Sequence, residues 1–225
     1  AFRGVKTVFF ENTANAQEFI NRKIVSQEKI IVLHGAGVDV QAYSYQAYPE
    51  NACVHFLYLG RIMKEKGMDE LLDACEQLHE EGYSFVLDLV GFFEDAYKQR
   101  INQLSAQGIV VFHGFQQEPR PFYAACDCVV LPSYHEGMSN VLLEAAATGR
   151  PVITSDIPGC REAVVDQKSG FLVPKGDAQA LYRAMKHMLS IDRAQREQMG
   201  LDGRKWIEQQ FGKEQVVRET KNALM

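Results

Sequence analysis

The chain has 225 residues, 46% of them apolar and 24% charged, with a formal net charge of -5. This is the profile of an ordinary globular protein, large enough for one domain or one domain plus a piece of another. It argues against a broad basic face for nucleic acid. No apolar run approaches the roughly 20 residues that span a bilayer, and no signal peptide is expected.

In chain order, residues 5–10 predict a strand, 14–22 a helix and 29–33 a second strand. Gly35-Ala36-Gly37-Val38-Asp39 then predicts a turn, and residues 41–51, polar, aromatic and carrying Pro49, a linker. One strand-helix-strand unit has too little core to be a domain. It reads as the end of another domain whose beginning lies outside this sequence.

From about residue 52, short apolar runs alternate with helical patterns. A strand is expected at 53–59, closed by Gly60-Arg61, and then a helix at 69–81 with Leu71, Leu72, Cys75 and Leu78 at three-to-four spacing. A strand at 84–90 ends at Gly91, a helix follows at 94–107, and a strand at 109–112 ends at His113-Gly114. A short helix is expected at 118–125 and a strand at 128–131, ending at Pro132-Ser133. Then come a helix at 140–148, a strand at 152–155, one or two helical turns at 161–165 and a last strand at 170–173. Helices fill the tail from 177, at 194–210 and at 213–225. Strands this apolar, alternating with helices, imply an α/β fold with a doubly wound, Rossmann-like parallel sheet covered on both faces. Ligands of such sheets sit beyond the carboxyl ends of the strands.

Four polar groups fall there: Arg61, Gly91, His113-Gly114 and Ser133 to Glu136. The last opens the most informative stretch, in which Glu136 lies in a strand-to-helix loop and Glu144 about one turn into the next helix. Between them is a helix N-terminus whose free N–H groups suit an anion such as a phosphate. Two carboxylates around a phosphate-ready helix start fit a sugar joined to a nucleotide. Each residue also has a plainer reading. Arg61 and Lys66 can be solvated surface charges, Glu136 a helix cap, Glu144 a solvated helix residue and His113 a structural side chain. The five cysteines are odd in number and sit mostly in apolar runs, which suits core thiols in a reducing compartment. Cys126-Asp127-Cys128 lacks the spacing and the second pair of a zinc site.

The order of these segments resembles the retaining glycosyltransferases of family 4, the group 1 glycosyl transferases, which face two Rossmann-like domains across a cleft (the GT-B architecture). The resemblance runs the full length. It rests on Gly37-Val38-Asp39, on Gly60-Arg61 with Glu65-Lys66-Gly67, and on Glu136 and Glu144 eight apart. Gly149-Arg150-Pro151-Val152-Ile153, Gly159 with Glu162, and Gly170-Phe171-Leu172-Val173 follow as the family has them. The resemblance implies that residues 51–225 are the donor-binding domain and 1–50 a remnant of the acceptor domain plus linker. The last helix, 213–225, would cross back to that domain. It implies sugar transfer from a nucleotide-diphosphate sugar with retained configuration.

By the same resemblance Arg61, Lys66 and Glu136 carry the reaction. Arg61 and Lys66 hold the diphosphate, and Glu136 accepts hydrogen bonds from donor-sugar hydroxyls. Glu144 takes the ribose hydroxyls, while Gly137, Met138, Ser139 and Asn140 offer backbone N–H groups to phosphate and sugar. Gly60, His113 and Gly114 line the donor. Gly91-Phe92-Phe93 departs from the family's G-x-G-P turn. No cofactor and no dedicated metal site are expected, the nucleotide sugar being a substrate. The acceptor would be a glycan or lipid-linked molecule bound through the other domain, and the compartment the bacterial cytoplasm, at the inner face of a membrane. Two alternatives stand beside this reading: a nucleotide-sugar-binding module without activity, and a nucleotide-sugar epimerase of similar fold. The Glu136/Glu144 spacing favours the transferase.

Overall fold

The computed structural model describes residues 2, 4–33 and 35–224; Met225, the expected end of the last helix, lies outside them. Two sheets form. The first is a parallel pair, β1 (Val8–Phe10) and β2 (Ile30–Val32), joined by α1 (Thr13–Asn21). The Asn12 side chain caps α1 by accepting from the Asn15 N–H at 2.8 Å, and Phe10 packs edge-on against Phe19.

The second sheet has six parallel strands. They are β3 (Val54–Leu59), β4 (Phe85–Val90), β5 (Val110–Gly114), β6 (Cys128–Leu131), β7 (Val152–Ser155) and β8 (Gly170–Val173), in the order β5-β4-β3-β6-β7-β8. The doubly wound parallel sheet is therefore as expected. All residues of β6 and β7 are buried, because helices cover both faces. Right-handed crossovers put α2 (Met68–Glu80) and α3 (Lys98–Ala106) on one face. They put α4 (Arg120–Ala125) and α5 (Asn140–Thr148) on the other. Helix α6 (Ala178–Ser190) packs on α2, and α7 (Arg193–Gln210) on α5. The α2 residues Leu71, Leu72, Cys75 and Leu78 are all fully buried, as their spacing requires. Four of the five thiols are buried and all five are free.

Several elements are shorter than the sequence suggests, β1 among them, which begins at Val8 and not at residue 5. Helix α3 begins four residues late because residues 92–95 pair with the loop after β3. Ile62 bridges to Phe93, and its carbonyl accepts from Glu94 and Asp95. Helix α4 starts at Arg120, where Pro119 and the Glu118 carboxylate mark its beginning. Residues 161–165 form one 3₁₀ turn, Arg161–Ala163.

The linker is held by a buried cation. Arg150, with no exposed surface, donates to the carbonyls of Gln46 (3.0 Å), Ala47 (3.0 Å), Tyr123 (2.8 Å), Ala124 (2.7 Å) and Gly149 (3.2 Å). Tyr48 lies under its guanidinium and donates to the Asp127 carbonyl at 2.6 Å. Further back, Val38 bridges Gly212, so α8 (Lys213–Leu224) starts against the Gly35–Asp39 turn.

Candidate functional site

The chain winds from β3 outward to β5, returns to place β6 beside β3, and winds the other way to β8. The carboxyl ends of β3 and β6 therefore flank the point where the strand order reverses, the usual ligand crevice of such sheets. Both loops predicted to matter lie there: Gly60 to Gly67 after β3, and Pro132 to Ser139 after β6.

Gly67 draws the two loops together. It sits at φ 71°, and a Cβ there would lie 2.1 Å from the Pro132 carbonyl oxygen. The Tyr134 N–H completes the junction by donating to the Glu65 carbonyl at 2.8 Å. As a result Lys66 Nζ meets Glu136 Oε1 at 2.6 Å, with each side chain about 15% exposed (15% and 14%). Residues 70 apart thus form one charged pair across the crevice.

Helix α5 begins beside this pair. Its N-cap, Ser139, makes no side-chain hydrogen bond to the first turn, and that turn contains no acidic residue. Glu136 turns to Lys66 and does not cap the helix. The Asn140 and Val141 N–H groups at the start of α5 have no acceptor among the described residues, and the helix dipole favours an anion there. The loop is fixed from behind, since the Ser139 N–H donates to the Gly159 carbonyl at 2.8 Å and the Gly159 N–H to Glu162 Oε2 at 2.8 Å. Met138 and Ser139 are buried, while Asn140 is exposed.

Glu144 lies one turn into α5, half-buried. The Tyr123 hydroxyl donates to its Oε2 at 2.9 Å, and Tyr43 from the linker packs edge-on against the Tyr123 ring. Burial raises its carboxyl above the ordinary 4.5, and the two tyrosine hydroxyls oppose that shift. A carboxylate held by a fixed hydroxyl donor is already shaped to exchange it for a ligand hydroxyl.

Arg61 stands apart from this cluster. It is half-exposed and pairs with Glu94 at 3.0 Å, while its backbone carbonyl accepts from Tyr58. The expected cationic wall is therefore split: Lys66 meets Glu136, and Arg61 is held by the β4–α3 loop. His113 is a structural side chain. Its Nε2 lies 2.7 Å from Asp88 Oδ1, and the other Asp88 oxygen lies 2.9 Å from His55 Nδ1, so one carboxylate ties β3, β4 and β5 together. Gly60 and Gly114 lie at the carboxyl ends of β3 and β5, on either side of the end of β4. The Gly60 N–H donates to the Val90 carbonyl, and the Gly91 N–H to the Gly114 carbonyl. The unusual Gly91-Phe92-Phe93 turn presents Phe92 edge-on to Phe115, both exposed.

Three features escape sequence reading. Tyr43 and Tyr123 reach Glu144 from the linker and from α4, which no local pattern reveals. Arg150 is recognisable as part of a motif, but its role as a clamp on the linker is not. Asn12 caps α1, a signal present in the sequence, yet its amide also donates to the Gly137 carbonyl at 2.8 Å.

A family model described as Glycosyl transferases group 1 matches residues 53–190. The capsular polysaccharide biosynthesis glycosyltransferase CapM of Staphylococcus aureus is 32% identical over 167 residues, 72% of this chain and 43% of that protein. Sucrose-phosphate synthase from Thermosynechococcus elongatus superposes with a TM-score of 0.81 at 25% identity, over 97% of this chain and 57% of that one. Anabaena HepE in complex with UDP-glucose superposes with a TM-score of 0.85 at 22% identity, over 99% and 64%. The likeness to HepE concerns the fold. The chain spans about half the length of the curated relatives it matches. With a match over more than half its length, and with the crevice between β3 and β6 built from the matched segment, the chain belongs to the group 1 glycosyl transferases.

Proposed function

We propose that this chain is the donor-binding half of a retaining family 4 glycosyltransferase that transfers a sugar from a nucleotide-diphosphate sugar. The observation that carries the reading is the Lys66–Glu136 pair spanning the strand-reversal crevice beside the uncapped N-terminus of α5. Residues 51–225 form the donor domain. Residues 1–50, with their two-stranded parallel sheet and exposed Phe9 and Val32, are the edge of the acceptor domain. The start of α8 against the Gly35–Asp39 turn suits a helix that returns toward it.

In the reaction, the bond between the anomeric carbon and the diphosphate oxygen breaks, and its electron pair leaves with the nucleoside diphosphate. Lys66 and the α5 N–H groups stabilise the charge that accumulates there. Arg61 adds to them once it releases Glu94. The acceptor hydroxyl bonds to the anomeric carbon on the face the diphosphate leaves. Its proton passes to the departing phosphate, so no side-chain nucleophile is required. Glu136 holds the sugar through its hydroxyls, Glu144 the ribose, and Gly60 and the His113-Gly114 backbone the nucleoside side. Gly137, Met138 and Asn140 supply backbone N–H groups, whereas that of Ser139, expected to join them, is held by the Gly159 carbonyl. The donor needs no metal site of its own. UDP-glucose bound by HepE supports a sugar nucleotide as ligand, and the name of CapM supports a part in polysaccharide biosynthesis.

The length of the chain relative to its relatives favours a second statement, that by itself it binds donor without transferring sugar. Transfer needs a closed, water-excluding cleft with an acceptor wall. Calorimetric titration with UDP and GDP tests the site. Binding by at least one is expected in the micromolar to millimolar range; a folded sample that binds neither at millimolar concentration overturns the reading. Sugar transfer by the chain alone would overturn the second statement.

A further inference from the structure

The Glu136–Ser139 loop has a neighbour that the family match, which begins at residue 53, does not include. Glu11 follows β1, and its carboxylate stands directly over Gly137. A Cβ built on Gly137 would lie 2.0 Å from Glu11 Oε2. Only the absence of a side chain at 137 allows this approach. The position of Glu11 is not left to a mobile loop. The next residue, Asn12, is buried and bound at both ends, donating to the Gly137 carbonyl and accepting from the Asn15 N–H, each at 2.8 Å.

Glu11 itself makes no side-chain hydrogen bond or ion pair among the described residues, although it is placed this closely. Beside it opens a cavity of about 530 Å³, also lined by Phe9, Phe10 and Gly35. Gly35 abuts Met138, since a Cβ there would lie 2.7 Å from the Met138 Cβ, so the cavity borders the same loop. A free carboxylate next to aromatic rings is the chemistry that holds a sugar, with hydroxyls donating to the oxygens and C–H faces against the rings.

We propose that Glu11 is a donor-sugar specificity residue, accepting a hydrogen bond from a hydroxyl of the transferred sugar opposite Glu136. The inference rests on the donor-site reading above. It assigns sugar recognition to both sides of the cleft: Glu136 from the donor domain and Glu11 from the N-terminal unit, with the Gly137 backbone between them. The inference gives Glu11 the sugar alone and leaves the nucleoside and the diphosphate to Glu144, Lys66 and the start of α5.

The test compares nucleoside diphosphates with their sugar-bearing forms. This chain and its Glu11→Ala and Glu11→Gln variants are titrated with UDP, GDP, UDP-glucose, UDP-galactose, UDP-N-acetylglucosamine and GDP-mannose. Loss of a hydrogen bond to a charged acceptor predicts about tenfold weaker binding of the preferred sugar nucleotide in Glu11→Ala. Glu11→Gln, which keeps an acceptor oxygen, should lose less, and UDP or GDP should bind all three proteins within about twofold. Equal losses for UDP and UDP-sugar, or no loss for any ligand, overturn the inference and leave the donor site standing. Failure of the unmodified chain to bind either nucleoside diphosphate removes the donor-site reading, and this inference with it.

Discussion

The Lys66–Glu136 pair can be tested by a double-mutant cycle with Lys66→Met and Glu136→Gln. The N–O distance is 2.6 Å and the two side chains are only 15% and 14% exposed. An exposed pair of this kind couples by less than about 1 kcal/mol, whereas breaking a fully buried one costs about 3–5 kcal/mol. With one-seventh of each side chain in water, a coupling of about 1.5–3 kcal/mol is expected, the range for a hydrogen bond between charged groups. Lys66→Met strands Glu136 and should lower the melting temperature by roughly 4–10 °C for a domain of this size. The binding arm separates the partners' roles. Lys66→Met should weaken UDP or GDP binding by about tenfold to a hundredfold, as expected for loss of a charge-assisted phosphate contact. Glu136→Gln removes the carboxylate that competes with the phosphate for Lys66, so the nucleoside diphosphate should bind as tightly or more tightly. Calorimetry and thermal melting on the four proteins give both numbers. Nucleotide affinity unchanged by Lys66→Met would refute a phosphate role for the lysine. Coupling below about 0.5 kcal/mol would refute the pair itself.

Two further outcomes follow from buried polar groups. Arg150→Met removes five donated hydrogen bonds and the cation beneath which Tyr48 lies, while burial holds the guanidinium below its usual pKa. Relief of that desolvation offsets part of the loss, leaving a net cost of about 2–4 kcal/mol. The linker at 41–51 should then become sensitive to limited proteolysis; an unchanged melting temperature and cleavage pattern would refute the clamp. Glu144 has a pKa raised by burial, so the native state holds its proton where the unfolded chain has lost it. Its contribution is most favourable at low pH and is lost as pH rises from about 4.5 through the raised folded value. Glu144→Gln should therefore gain stability relative to the unmodified chain at pH 8 but not at pH 4, while binding nucleotide more weakly. The same stability difference at both pH values would refute the assignment.

The fold was legible because its signals are local and repeated. Each strand of the large sheet is a short apolar run ended by glycine, proline or a polar residue, and Asn140–Thr148, Val152–Ser155 and Gly170–Val173 lie where the pattern predicts. The late start of α3 was hidden because its cause is distant: Ile62 takes the N–H groups of Glu94 and Asp95. Glu136 and Glu144 were visible as a spacing, and Lys66 as a charge beside a glycine. The cap reading of Glu136 could be set aside only after Lys66 was seen to hold it. Arg61 illustrates the converse, a cation in the expected loop whose partner, Glu94, comes from a different strand end.

The sequence by itself determined the alternation of strand and helix, the covered parallel sheet and the set of residues able to form a donor site, because hydrophobic period and turn chemistry act over a few neighbouring positions. The tertiary structure decided which of those residues meet. It joined Lys66 to Glu136 across the strand reversal, brought Tyr43 and Tyr123 to Glu144, wrapped the linker around Arg150, and set Glu11 over Gly137. These contacts depend on strand order and on close backbone approach, which no short-range pattern encodes.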